Sequence, residues 1–512
     1  MTESAVAVDV NWAVVTGFVS YLVVLVVIAA YAGYARAGSL TDYFLGGRSM
    51  RYVVVALSSV TSARSAWLVL GVSGMAFVDG AAAVWAVVGY TVMELFLFLF
   101  VAPRIRRITG QMKDLTLTDF FVSRLRGGHT LRAIIVTVIV MFMVAYVASN
   151  FQAGGTAFAG TFGIDPSLGL WLTATIVVLY TMVGGYVAVA LSDALQGVFM
   201  LFGLVVLPTV VVASLGWGPM FATLEALNPA LLDPLAVGAG MVIAWIGIGL
   251  GSPGQPHVVI RYMSVDDPKN LRPAALLATF WNVLMGWGAV FLGMAGRAIY
   301  EGEEALPGAD PEALFPFMAG EYLPALVAGI LVAAVFAAIM STADSQLLVG
   351  ASGIVRDIYQ RIIIGGRELP PRTAVWISRG VVVAMSLAAI GLLYVPGAAE
   401  AVFWLVLFAW GGLGAAFGPP LLFAVFWRGT TAAGAGAGVV TGALVTIVWY
   451  YTLSDYLFEG LPGFVASALA VWLVSLATSS SRPDDVDEQM RVMRGDNTEP
   501  TADSGDEEAA VR

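Results

Sequence analysis

The sequence predicts an all-α integral membrane protein, and three observations support that fold class. Hydrophobic residues make up 59% of the 512 residues and charged residues only 12%, and the mean hydropathy is +0.86. A soluble globular protein needs more polar surface than this chain can supply. The third observation is that the apolar residues fall into stretches long enough to cross a bilayer, which takes about 20 residues per helix.

These stretches predict about thirteen transmembrane helices. The predicted spans are 12–34, 52–78, 84–101, 131–162, 168–188, 190–216, 235–263, 273–300, 323–359, 374–394, 402–427, 432–450 and 461–478. Several of them exceed the minimum length, so we expect tilted or interrupted helices among them.

The basic residues predict the orientation in the cell membrane. With the N-terminus outside, all but two of the 25 Lys and Arg residues lie on the cytoplasmic side, where basic residues are retained. The two exceptions are Arg64 and Arg297, and Arg261 is assigned to the cytoplasmic loop after the seventh span. An odd number of spans places the C-terminus in the cytoplasm. We therefore expect a multi-pass membrane protein.

The chain divides into four predicted regions. They are an N-terminal helix with its loop, a core of two halves, a pair of helices and an acidic tail: 1–51, 52–427 (halves 52–216 and 235–427), 428–478 and 479–512. From Arg482 onward the tail has ten acidic residues against four arginines. This composition predicts a disordered tail and gives no indication of nucleic-acid binding.

Two spans contain sequences that a regular helix tolerates poorly. The second span has a polar stretch from Ser58 to Trp67, and the seventh has four glycines and two prolines between Gly247 and His257. These breaks are five spans apart, as expected for two inverted five-helix repeats. Transporters built in this way bind ions and solutes where paired helices are unwound near the bilayer midplane.

The ninth span contains a run of polar and small residues from Ser341 to Gln346. A carboxylate at the bilayer centre, such as that of Asp344, costs about 2.5–3.5 kcal/mol, and such residues usually face an ion or solute path. Hydroxyl and amide side chains can also bond neighbouring helices, but that role does not need a carboxylate. The run therefore predicts a binding site.

Four motifs resemble the sodium:solute symporter family, and most of all its sodium/proline symporter branch. The similarity extends over nearly the whole chain except the tail. The motifs are Asp42 to Ser49, Gly184-Gly185-Tyr186 with Ser192 to Gln196, Gly254 to His257 with Arg261-Tyr262-Met263, and Ala337 to Thr342. The resemblance implies a LeuT-like inverted-repeat fold and symport of a small organic solute with Na⁺.

The resemblance also implies a sodium site between the second and ninth spans. The matching ligands are backbone carbonyls and hydroxyls of Thr61, Arg64 (carbonyl), Ala338 (carbonyl), Ser341 and Thr342. Oxygen atoms of this kind replace the water shell of a monovalent cation. The hydroxyls could instead bond carbonyls of their own helix.

One position departs from the family pattern. The sodium/proline branch has an aspartate two residues before the serine of a Ser-x-Trp pattern, and Ala63 stands there in this chain, followed by Arg64. A fixed arginine repels sodium. Three alternatives remain: Asp344 pairs with Arg64, Arg64 binds a solute carboxylate, or the transporter uses protons or no ion.

The resemblance places a solute pocket around the two breaks. The predicted solute-binding residues are Ser65, Trp67, Tyr146, Ser252, Gln255, Pro256 and Ser345. Ile248 and Ser252 stand where the proline carriers have two aromatic residues, which implies a roomier and more polar pocket. Proline is the favoured solute, with another amino acid or a carboxylate as the alternative.

Four charged residues are predicted to act in coupling or gating: Arg48, Arg64, Asp193 and Asp344. Asp193 is either a waypoint for ion release or a helix N-cap in the turn between the fifth and sixth spans. Arg48 could equally anchor the cytoplasmic side. Glu94, an acid within the third span, has no role that the sequence explains.

These patterns favour a secondary transporter working by alternating access, whose partners are the solute, Na⁺ and the lipid bilayer. A membrane sensor derived from a transporter needs an output domain, and a channel needs a continuous polar stripe along several helices. An enzyme needs a nucleophile with its base or a metal cluster, and neither pattern is present in the sequence. The oligomeric state is left open.

Overall fold

The structure is a computed structural model that describes residues 12–35, 45–395, 402–453 and 457–496. Throughout these ranges the ordered elements are helical, and the β contact found there is an isolated parallel bridge between Met50 and Val265. The all-α prediction is confirmed.

Nineteen α-helices are assigned in the described residues. They are α1 (Trp12–Ala35), α2 (Tyr52–Ala66), α3 (Ser73–Asp79), α4 (Val84–Phe96), α5 (Ala102–Met112), α6 (Leu117–Leu125), α7 (His129–Phe162), α8 (Pro166–Leu215), α9 (Trp217–Leu227), α10 (Gly238–Gly247), α11 (Pro256–Ser264), α12 (Leu271–Tyr300), α13 (Leu314–Tyr322), α14 (Ala325–Ser352), α15 (Pro371–Leu393), α16 (Val402–Phe426), α17 (Ala432–Leu453), α18 (Gly460–Ala477) and α19 (Val486–Arg494).

Nine helical stretches in the described part of the chain are long and apolar enough to cross a membrane, and three further apolar helices are shorter. The shorter ones include the first half of the seventh predicted span, where the chain is interrupted. A multi-pass membrane protein is therefore supported. The total of thirteen spans and the inverted five-helix repeat stay predictions.

Both predicted breaks are present. The helix α2 is interrupted at Ser65, whose backbone takes φ 45° and ψ −168°, and a π-helical segment, Trp67–Val72, leads into α3. The helix α10 runs into a 3₁₀ segment, Ile248–Gly254, and Gln255 is extended before α11 begins at Pro256.

The helix α14 lies in the middle of the bundle. It packs against α1, α2, α7 and α8, and every residue from Leu331 to Leu348 is buried. The polar run of this helix thus faces protein rather than lipid, as the cost of exposing polar groups to hydrocarbon requires.

Two boundary predictions are wrong. The chain is helical from Pro166 to Leu215, so Asp193 lies inside α8 rather than in a turn, and it is not an N-cap. The third predicted span continues through a π-helical segment into α5, which places Arg104 and its basic neighbours on a helix.

The prediction of a disordered tail is also wrong for its first part. The helix α19 buries Met490 and Met493 against the bundle, and Arg107 donates a 2.9 Å hydrogen bond to the Met493 carbonyl. Apolar residues on one face of this short helix stabilise it by packing, which overrides the acidic composition. Residues 497–512 lie outside the described residues.

Candidate cation and solute site

The hydroxyls of α14 meet the backbone of α2 just before its break. Ser341 Oγ lies 3.4 Å from the Thr61 carbonyl oxygen, and Thr342 Oγ1 lies 3.1 Å from that of Ser62. Both hydroxyls also lie 3.1 Å from the Ala338 carbonyl oxygen of their own helix. The bond to the own helix is therefore present, but each hydroxyl also bridges to α2.

Four of the five predicted sodium ligands are thus brought together: Thr61, Ala338, Ser341 and Thr342. The fifth, the carbonyl of Arg64, accepts a hydrogen bond from the Trp67 backbone N–H. The cluster offers hydroxyl and carbonyl oxygens of the kind that coordinate Na⁺ at unwound transporter helices. The described residues contain no cluster of three or more His, Cys, Asp or Glu side chains able to hold a metal ion.

The side chain of Arg64 pairs with Glu94 rather than with Asp344, which corrects the first of the three alternatives. Arg64 forms an ion pair with Glu94 and donates a 3.0 Å hydrogen bond from Nε to Asn282 Oδ1. Its guanidinium lies over the ring of Tyr90, 3.7 Å from the ring centroid. Two nitrogens and one face of the guanidinium are thus engaged within the bundle.

A second buried arginine, Arg261, connects the two breaks. It lies on α11, is 1% exposed, and donates to Asp193 at 2.8 Å, to Ser62 at 2.7 Å and to Ser345 at 2.5 Å. Its Nε donates to Ser58 at 2.9 Å. The assignment of Arg261 to a cytoplasmic loop is therefore wrong, because the described α11 lies inside the bundle.

Asp193 and Asp344 both lie near this arginine. Asp193 accepts hydrogen bonds from Ser58 at 2.7 Å and Ser62 at 3.0 Å as well as from Arg261. Asp344 accepts from the Ser345 hydroxyl at 3.1 Å through one oxygen, and its other oxygen has no partner among the described residues. Asp193 thus pairs with Arg261 directly, and Asp344 is connected to it through Ser345.

Most of the predicted solute residues line the two breaks. The Tyr146 hydroxyl lies 3.5 Å from Ser65 Oγ, which also accepts from the Trp67 backbone N–H at 3.2 Å. The ring of Tyr146 meets that of His257 edge to face, with centroids 6.1 Å apart. Pro256 is the first residue of α11, so its missing N–H costs no helical hydrogen bond.

Polar groups without partners lie at the break between α10 and α11. The Ser252 hydroxyl and the Gln255 side-chain oxygen are buried and have no hydrogen-bond partner in the described part of the chain. The Gln255 amide donates to the carbonyls of Gly251 and Trp410, each at 3.0 Å. Ser345 belongs instead to the Arg261 network.

The side chain of Arg48 forms hydrogen bonds to backbone carbonyls of α5, of the loop after α5 and of α11. It donates to the Thr109 carbonyl at 2.8 Å, to the Met263 carbonyl at 3.2 Å and to the Asp114 carbonyl. Burial lowers the pKa of Arg48 to about 10, which leaves it charged at neutral pH. The first residues of its motif, Asp42 to Phe44, lie outside the described residues.

Sequence reasoning missed Asn282 altogether and left Glu94 without a role. Asn282 donates from Nδ2 to Glu94 Oε2 at 2.6 Å and so joins α12 to the Arg64 pair. A signal existed, because both are isolated polar residues in long apolar stretches, and such residues in a membrane span need a partner. The sequence could not say which partner each one has.

A family model, the sodium:solute symporter family, matches residues 43–442. The chain belongs to the sodium:solute symporter family. It is accordingly a transporter and not an enzyme. The sodium/proline symporter of Staphylococcus aureus strain USA300 / TCH1516 is 38% identical over 490 residues, which cover 92% of this chain and 94% of that protein, and the protein of strain JH9 is 38% identical over the same shares.

Two solved structures resemble this transporter in fold. A Na⁺-coupled sialic acid symporter, in a substrate-bound outward-open state, superposes with a TM-score of 0.77 at 19% identity, covering 92% of this chain and 98% of that one. A nucleobase-cation-symport-1 family transporter in a closed conformation gives a TM-score of 0.56 at 14% identity, covering 89% and 100%. At these identities the likeness concerns the fold alone.

Proposed function

We propose that this protein is a secondary active transporter that carries proline, or a related amino acid, together with Na⁺ by alternating access. The observation that supports it most directly is the contact of the Ser341 and Thr342 hydroxyls with the Thr61 and Ser62 carbonyls. That cluster lies beside an interrupted helix in a member of a sodium-coupled family. The resemblance to sodium/proline symporters supports the choice of proline.

In this proposal Na⁺ binds between α2 and α14. The ion replaces the hydrogen bonds that the two hydroxyls now make across the interface, and its ligands come from both helices. Binding therefore holds α14 against the segment that precedes Ser65. A ligand that binds one arrangement of two elements better than another shifts the population towards it, and this is how the ion would favour the state that accepts solute.

The solute is proposed to bind at the neighbouring breaks. Tyr146 and Trp67 supply aromatic surface, and the Ser252 hydroxyl and the Gln255 oxygen supply polar groups that lack protein partners. Buried polar groups of this kind are costly unless a ligand or water satisfies them. A zwitterion with an apolar ring, such as proline, offers both kinds of contact.

The orientation is part of the proposal. We place the N-terminus outside and the C-terminus in the cytoplasm, because nearly all basic residues then lie on the cytoplasmic side. We also propose the division of the chain into a core of two inverted repeats (52–427), two C-terminal helices (428–478) and flanking segments.

Uptake of radiolabelled proline into proteoliposomes tests the function. An inward sodium gradient is expected to drive accumulation, whereas a proton gradient alone is not. Ser341→Ala and Thr342→Ala are expected to abolish the sodium dependence. Ser386→Ala is the matched control, because among the described residues the buried Ser386 hydroxyl bonds only a carbonyl of its own helix, that of Val382 at 2.9 Å.

Equal sodium dependence in all three variants would rule out the proposed cation site. Uptake driven by protons alone would replace sodium by protons as the coupling ion. Uptake of other amino acids or carboxylates but not of proline would change the solute while leaving the sodium site in place.

A further inference from the structure

Arg64 places a permanent positive charge beside the proposed cation site. It lies on α2 within one helical turn of Thr61 and Ser62, whose carbonyl oxygens face the Ser341 and Thr342 hydroxyls. One turn is about 5.4 Å of helix axis. Since an arginine side chain stays protonated in proteins, its charge acts on any cation bound at those oxygens.

Glu94 supplies a matching negative charge from α4. One carboxylate oxygen forms the ion pair with Arg64, and the other accepts the hydrogen bond from Asn282, which itself accepts from Arg64 Nε. The three side chains form a closed ring of contacts between α2, α4 and α12. The arginine and glutamate side chains are 1% and 3% exposed, so salt in solution screens them weakly.

The other carboxylates of the region are engaged elsewhere. Asp193 pairs with Arg261, and Asp344 accepts a hydrogen bond from Ser345, which itself accepts one from Arg261. Three phenols also lie close to Arg64, and phenols are neutral at physiological pH. They belong to Tyr90, Tyr146 and Tyr262.

We propose that Glu94 is the charge-compensating residue of the cation site: by neutralising Arg64, it allows a monovalent cation to bind at the Thr61 and Ser62 carbonyl oxygens. This inference rests on the proposed sodium site. Glu94 acts through Arg64 and touches no transported species, so it is a positioning residue. It also accounts for the way in which the chain accommodates an arginine directly after Ala63.

The expected size of the effect follows from Coulomb's law. With an effective dielectric constant of about 20, an uncompensated unit charge about 10 Å away changes a cation binding constant by roughly tenfold. Because removal of Glu94 leaves a positive charge and removal of Arg64 leaves a negative one, the two changes have opposite signs.

Binding of radiolabelled sodium to the purified full-length protein tests the inference without assuming a solute. Choline chloride keeps the ionic strength constant. Glu94→Gln keeps the shape of the side chain and is expected to raise the sodium concentration for half-saturation roughly tenfold. Arg64→Met is expected to lower it. The double variant, neutral like the wild type, is expected to return to near the wild-type value, because the opposite effects of the two charges on the bound ion cancel.

If the pair has a purely structural role, the sodium concentration for half-saturation changes in the same direction in both single variants or stays unchanged in both. Either result overturns the inference. If one single variant does not fold, the other is compared with the double variant, and the expected sign is the same. A double variant as impaired as Glu94→Gln also overturns it.

Ser341→Ala, measured alongside, separates this inference from the proposed function. If the wild type shows no saturable sodium binding, or binding that Ser341→Ala leaves intact, the sodium site is wrong and the inference is lost with it. If binding is lost in Ser341→Ala but unchanged in Glu94→Gln, the sodium site stands and only charge compensation is overturned.

Discussion

The two interrupted helices reach the same kind of backbone break by opposite means. The break in α2 contains neither glycine nor proline, and Ser65 takes a backbone conformation that residues with a side chain rarely adopt. The break between α10 and α11 is rich in both, and no residue between Ile248 and Gln255 has a positive φ. The first break is therefore strained, and the second is not.

Different contacts hold the two breaks. Around Ser65 they are made by side chains: Arg64 to Glu94 and Asn282, and Ser62 to Arg261. Strained backbone persists where its surroundings leave no alternative, and these contacts fix the chain immediately before the break.

Around the second break the backbones of neighbouring helices also come into close contact. A Cβ added at Gly249 would overlap the Gly89 carbonyl of α4, and one at Gly254 would overlap the Leu413 carbonyl of α16. The glycines thus serve the close approach of neighbouring helices. Deleting a side chain should therefore damage the first break, whereas adding a methyl group should damage the second.

Asp193→Asn is expected to have the largest effect. It removes the carboxylate that pairs directly with the buried guanidinium of Arg261, which costs about 3–5 kcal/mol of unfolding free energy. Thermal unfolding of the detergent-solubilised protein measures the loss. Asp485→Asn removes a surface ion pair with Arg126 and serves as the control, with an expected change below about 1 kcal/mol. Similar losses in both variants would contradict the importance of the buried pair.

Gly249→Ala is expected to have the second-largest effect. It should lower the unfolding free energy by about 1–3 kcal/mol, because the Gly89 backbone must move to admit the methyl group. The same unfolding measurement applies. Gly240→Ala is the control, since a Cβ there meets nothing within 4 Å. If the two alanine variants were equally stable, close helix approach would not be the reason for the glycine.

The smallest effect is the most specific to the strained break. The unfolding free energy of Ser65→Gly is expected to exceed that of Ser65→Ala by about 1 kcal/mol, because only glycine adopts this conformation without strain. At Ser59, in the regular part of α2, the order is expected to reverse by a similar amount, since alanine favours a helix. The same order at both positions would show that Ser65 is not strained.

The sequence predicted these helices and breaks because both depend on local chemistry. Apolar stretches mark the membrane helices, Gly and Pro mark the α10–α11 interruption, and the polar run of α14 marks the candidate site. Short-range signals of this kind also located Ser341 and Thr342, which the structure brings to the α2 carbonyls. The family motifs supplied the expectation of sodium.

The pairing of the buried charges follows from the tertiary packing and could not be read from the sequence. Asp344 and Glu94 were equally available to Arg64 in the sequence, and the packing of α4 and α12 against α2 selected Glu94. The sequence assigned Arg261 to a cytoplasmic loop, whereas in the folded protein it pairs with Asp193 inside the bundle. Hydropathy and helix propensity depend on neighbours along the chain, whereas the partner of a buried charge depends on which distant segments pack together.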